Sequence, residues 1–76
     1  EPSLGLSPIL QDKLFSLISN LKKKGISFLI VEQNAHKAIA ISDRTYLLEQ
    51  GKIVLSGDKE LLKHPKIKSV YLGKGV

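Results

Sequence analysis

Phe28-Leu29-Ile30-Val31 places four apolar side chains in succession between Gly25 and Asn34. Neighbouring side chains of a strand point to opposite faces, so a run that is apolar at every position suits a strand covered on both sides. Parallel sheets with helices above and below provide that environment, and residues 27–32 are therefore the expected parallel strand of an α/β domain. The flanking sequence agrees. Ser7 is a helix cap, and Pro8 fits the first helical position, where its missing N–H costs nothing. Leu10, Leu14, Leu17, Ile18 and Leu21 recur at helical spacing, and Gly25 supplies the left-handed residue that closes such a helix.

Beyond residue 32, Asn34 is placed to cap a second helix with Ala35, Ala38 and Ile39 as its apolar stripe, ending near Ser42-Asp43. Residues 45–49 form a second strand, Gln50-Gly51 a tight turn, and residues 52–56 an antiparallel return strand. Asp58 caps a short helix carrying Leu61 and Leu62, and His64-Pro65 breaks it, because a residue before proline avoids helical geometry. A last helical turn groups Ile67, Val70 and Tyr71, and residues 73–76 are expected to fray. The expected fold is α/β, with a three-stranded mixed sheet, two strands parallel and one antiparallel, flanked by helices in a single domain over residues 1–76. The expected core is Leu10, Leu14, Leu17, Ile18, Leu21, Phe28, Leu29, Ile30, Val31, Ala38, Ile39, Leu47, Leu48, Ile53, Val54 and Leu61. No strand precedes the first helix, so one sheet edge is expected to lack a neighbour. Such edges invite pairing with another chain, and the 76 residues alone are expected to self-associate.

Composition narrows the functional classes. A chain of 76 residues buries only about 60% of its unfolded surface, which gives a thin core. With 42% hydrophobic residues it is not composed like a disordered segment. It contains no cysteine, so disulfides and thiolate metal sites are absent. No apolar run approaches the ~20 residues of a membrane span, and the start lacks the pattern of a signal peptide. The net charge of +5 raises an alternative, a small standalone basic α/β module for interaction or nucleic-acid binding. That reading needs a contiguous basic face or base-stacking aromatics. Only Lys22-Lys23-Lys24 is clustered, at a helix C-terminus where the macrodipole favours cations, and no nucleic-acid partner is expected. His36 and His64 are isolated, and with no cysteine or carboxylate at ligand spacing no metal site is expected.

Glu1-Pro2-Ser3-Leu4-Gly5-Leu6-Ser7-Pro8 joins a carboxylate, a proline, a loop of mostly small residues and a capped helix, which is how a catalytic acid leaves a buried strand. Ile30-Val31-Glu32-Gln33-Asn34 follows, then Asp43-Arg44-Thr45-Tyr46-Leu47-Leu48-Glu49-Gln50-Gly51-Lys52-Ile53-Val54, Ser56-Gly57 and a closing Tyr71-Leu72-Gly73. In this order and spacing the segments resemble the ABC-transporter nucleotide-binding domain from the end of Walker B to the C-terminus, over nearly the whole chain. Val-Glu-Gln-Asn and Leu-Glu-Gln-Gly-Lys-Ile-Val are most similar to the branched-chain amino acid importer ATPases.

The resemblance implies a partial P-loop NTPase-type fold and a set of roles. Glu1 looks like the glutamate after Walker B, which polarises the water that attacks the γ-phosphate. Ser3, Leu4, Gly5 and Leu6 look like the D-loop at the interface of the ATPase dimer. Gln33 stands where most relatives carry the switch histidine, and a glutamine amide can donate to phosphate without carrying a proton charge. The parent implied is a cytoplasmic ATPase, peripheral on the inner face of the cell membrane. It would use ATP and Mg and partner a second ATP-binding subunit and a membrane permease. The phosphate-cradling Gly-x-x-x-x-Gly-Lys-Ser/Thr occurs nowhere in the 76 residues, nor do the Q-loop and signature. By themselves these residues are expected to take no cofactor and to be inactive.

Overall fold

A computed structural model describes residues 2–69 of the chain, which divides into two units, Glu1–Asn34 and Ala35–Val76. The first unit is built on helix α1, Pro8–Lys23. Its ends are set by the residues that the sequence offers. The Leu10 amide donates to Ser7 Oγ at 3.3 Å, with Pro8 in the first turn. At the other end Gly25 takes φ 96°, its amide bonds Lys22 O, and the Ile26 amide reaches back to Leu21 O. This pair of bonds is the Schellman closure, and it needs a left-handed residue at the glycine position. Lys22 and Lys23 lie in the last turn, where the helix dipole favours them.

The covered face of α1 centres on Phe15 and Ile18, both buried, with Gln11, Leu14 and Leu21 half-buried beside them. Leu10 and Leu17, expected in the core, are exposed. They form one flank of a wide apolar stripe of which only the other flank is covered. The run 28–31 departs furthest from expectation. Residues 26–32 form no strand, and Leu29 and Val31 are 97% and 75% exposed, with Phe28 exposed and Ile30 half-buried. A strand exists through ladder bonds to a neighbour, and the sheet among the described residues holds two strands, of which this run is not one.

The second unit contains helix α2, Ala35–Ile41, then strands β1, Thr45–Glu49, and β2, Lys52–Gly57, and a 3-10 helix, Lys59–Lys63. β1 and β2 pair antiparallel around Gln50-Gly51, whose φ values of 51° and 78° are the two positive values of a type I′ hairpin turn. Leu47 pairs with Leu55 but Leu48 with Ile53, so Val54 is the extra residue of a β-bulge. Thr45, Leu47, Leu55 and Gly57 turn toward the covered face, while Tyr46, Leu48, Ile53 and Val54 are exposed. Leu48, Ile53 and Val54 thus leave the expected core, because a two-stranded hairpin has only one face to bury. Among the described residues the sheet is correspondingly two-stranded and antiparallel, without the expected parallel strand.

Ile39, at 0% exposure, Ile67, at 2%, and Leu61 make the core of this unit, packed by Ala35, Leu47, Leu55 and Leu62. Burying each isoleucine contributes about 1.5–3 kcal/mol. Asp58 caps the 3-10 helix, its carboxylate accepting from the Glu60 amide at 2.9 Å. At the break before Pro65 the His64 amide donates to Leu61 O, and His64 Nδ1 accepts from the Lys66 amide at 3.1 Å. Residues 65–69 are helical and bring Ile67 inward. Val70, Tyr71 and the tail over 73–76 lie outside the described residues.

Candidate functional site

The residues singled out by the resemblance that fall within the description all belong to the first unit. Residues 3–6 close a turn in which the Leu6 amide donates to Ser3 O at 3.1 Å. Gly5 occupies its third position at φ 79°, the left-handed geometry that a type II turn requires there. Leu4, 73% exposed, projects outward from the turn, Gly5 is exposed and Leu6 half-buried. Gln33 is exposed, just past the extended run. Glu1 lies outside the described residues.

Ser3 behaves differently from the rest of the turn. It is a polar residue only 3% exposed, and a buried polar group requires partners. Glu32 provides them. The Ser3 hydroxyl donates to Glu32 Oε1 at 2.7 Å, and the Ser3 amide donates to Oε2 at 3.2 Å. The Asn34 amide also donates to Oε1, at 3.4 Å. One carboxylate therefore joins the turn at residue 3 to backbone on the far side of Gln33. Gln11 completes the arrangement from α1, its side-chain amide donating to Ser3 O at 3.4 Å and to Leu6 O at 3.2 Å.

Two influences oppose each other at Glu32. Partial burial pushes its pKa up, but the bonds from the Ser3 hydroxyl, the Ser3 amide and the Asn34 amide, with the positive charge of the chain's N-terminus, favour the charged form, and together they hold it below the ordinary value of 4.5. Bonds to an ionised acceptor are about twice as strong as neutral ones, which suits this carboxylate to fixing a loop. Sequence reading placed Ser3 and Gln33 in the site but gave Glu32 and Gln11 no role. Glu32 is 29 residues from Ser3 in the chain, and no local pattern announces the pairing.

The described residues offer no phosphate cradle and, among them, no group of three His, Cys, Asp or Glu side chains that could hold a metal ion. His36 is exposed on α2, and His64 serves the turn already described. None of the described helices is long and apolar enough to cross a membrane.

No protein-family model matches the chain. Individual relatives do. The chain is 45% identical over 74 residues to the high-affinity branched-chain amino acid transport ATP-binding protein BraG of Pseudomonas aeruginosa, covering 96% of this chain and 32% of that protein. It is 36% identical to the probable branched-chain amino acid transport ATP-binding protein LivG of Archaeoglobus fulgidus, covering 96% and 29%. It is 35% identical to the lipopolysaccharide export system ATP-binding protein LptB of Acidithiobacillus ferridurans, covering 96% and 31%. The chain spans about a third of the length of the curated relatives it matches. Over nearly all of its 76 residues, then, this chain is a segment belonging to the family of ABC-transporter ATP-binding proteins.

Proposed function

We propose that these residues are the C-terminal part of the ATP-hydrolysing subunit of an ABC importer for branched-chain amino acids. The observation that carries the reading is the 45% identity to BraG over nearly the whole chain, with the motif order from Glu1 to Tyr71 in support. In the full-length protein ATP and Mg are held largely by sequence outside these residues. Glu1 polarises the attacking water, and Gln33 donates its amide to the γ-phosphate. The exposure of Gln33 suits a side chain offered to a phosphate held elsewhere in the domain. The turn at residues 3–6, with Leu4 projecting, faces a second ATP-binding subunit, and the pair works with a membrane permease on the cytoplasmic face of the membrane. Taken alone, the 76 residues do not bind nucleotide, and their exposed run at 28–31 promotes self-association.

The 35% identity to LptB favours a second reading, export of lipopolysaccharide, on the same ATPase chemistry. Two measurements test these statements. Isothermal titration of the 76-residue chain with Mg-ATP is expected to show no binding in the micromolar range, and micromolar binding would contradict the assignment of the phosphate cradle to other sequence. The full-length protein, reconstituted with its permease, is expected to hydrolyse ATP faster in the presence of leucine, isoleucine or valine. Acceleration by lipopolysaccharide instead would move the reading to the exporter.

A further inference from the structure

The carboxylate of Glu32 holds three donors on two stretches of chain, the hydroxyl and amide of Ser3 and the amide of Asn34. These bracket Gln33 on one side and open the turn of residues 3–6 on the other. We propose that Glu32 is a positioning residue for ATP hydrolysis in the full-length protein, fixing the turn at residues 3–6 relative to Gln33. The inference rests on the functional reading above and adds to it a residue that touches neither nucleotide nor water.

The chemistry of the contact defines what replaces it. Glutamine at position 32 keeps the size of the side chain but turns one acceptor oxygen into an NH2 donor. Whichever way the amide is oriented, a donor then faces either the Ser3 hydroxyl and Asn34 amide or the Ser3 amide. At least one donor at the buried Ser3 or beside it loses its partner, and a bond to a charged acceptor is stronger than a neutral one. Aspartate keeps the charge and both acceptors on a shorter arm. Alanine at position 3 removes only the hydroxyl and leaves the amide bond to Oε2. Gln11 holds the same turn through carbonyl oxygens, independently of the carboxylate, so the turn persists in these variants while its relation to Gln33 loosens.

The test is steady-state ATP hydrolysis by the full-length protein carrying Glu32→Gln, Glu32→Asp, Ser3→Ala or the pair Glu32→Gln/Ser3→Ala. Glu32→Gln is expected to lower kcat about tenfold, a loss on the order of one charged hydrogen bond. KM for ATP should stay within about twofold of wild type, because the phosphate cradle is untouched. Glu32→Asp recovers part of the loss, and Ser3→Ala lowers kcat in the same direction. The paired variant is no slower than Glu32→Gln alone, as expected for residues acting through one contact. Wild-type kcat in Glu32→Gln would overturn the proposal. So would losses that multiply in the pair, or a loss that only tracks the folded fraction measured by thermal melting. A full-length wild-type protein that hydrolyses no ATP would instead bring down the functional reading, and this proposal with it.

Discussion

Ile39 and Leu29 are aliphatic side chains of similar volume, one in each unit, and their exposures are 0% and 97%. The difference follows from what surrounds each in the chain. Ile39 belongs to a stretch in which a helix, a hairpin and a 3-10 helix follow one another within about thirty residues, each with an apolar face to contribute. Short loops bring those faces together, so Ile39, Leu61 and Ile67 close a core from elements that are consecutive in the chain. Leu29 stands in an extended run whose neighbours are a turn and one helix. A single helix can cover one side of a wide apolar stripe, but it cannot supply the ladder that makes a strand. Both units leave apolar side chains exposed, but the second closes a core of its own, whereas the run at 28–31 in the first joins no sheet.

Substitution separates the two regions most strongly. In the 76-residue chain Ile39→Ala is expected to destabilise the second unit by about 2–5 kcal/mol, the usual cost of deleting a buried aliphatic side chain. Leu29→Ala is expected to change stability by less than about 0.5 kcal/mol, as at an exposed position. Urea denaturation followed by amide signals from each unit measures both. Equal effects would erase the distinction.

A smaller effect tests how tightly the second unit is packed. A Cβ added at Gly57 would lie 3.2 Å from Leu61 Cδ2 and Cγ, closer than ordinary contact, and Leu61 belongs to the core. Gly57→Ala is expected to cost about 1–3 kcal/mol, the range for overpacking. A neutral result in a thermal melt would show that Leu61 can shift and that this core is looser than described. Gly5, with nothing near its missing Cβ, offers the contrast in the first unit, where alanine meets only the unfavourable φ of 79°.

The smallest expected effect is a pH dependence confined to the first unit. Glu32 has its pKa lowered in the folded chain, so its bonds to Ser3 and Asn34 are fully formed above the ordinary value of 4.5. They are lost as pH falls through the lower folded value. The amide proton shifts of Ser3 and Asn34 should titrate together with a midpoint below 4.5, and the transition should vanish in Glu32→Gln. A midpoint above 4.5 would mean that burial outweighs the hydrogen bonds and the N-terminal charge together.

How far the sequence could be read follows the same division. The hairpin was legible because Gln50-Gly51 states its own turn, and the caps at Ser7 and Asp58 and the closure at Gly25 depend on residues close in the chain. Ile39 and Leu61 were placed correctly for the same reason. The bulge at Val54 was not, since Ile53-Val54-Leu55 gives no alternation to mark the extra residue. Phe15 was missed although it stands three residues before Ile18, so the signal was present in the helical spacing. The strand expected over 27–32 did not form: four apolar residues in a row suit burial on two faces, but the run makes no ladder, and Leu29 and Val31 are exposed. In the candidate site the turn and Gln33 came from the resemblance, whereas Glu32 emerged only when the fold brought it to Ser3. A carboxylate that works across 29 positions leaves no trace in local pattern.

Hydrogen exchange, compared residue by residue between the 76-residue chain and the full-length protein, tests the central contrast most directly. Amides of β1 and β2 are expected to be protected in both, because the hairpin makes its own ladder. Amides of residues 28–31 are expected to exchange freely in the short chain at concentrations where it is monomeric, and to become protected by orders of magnitude in the full-length protein. Strong protection of residues 28–31 in the short chain alone, or none in the full-length protein, would contradict the account.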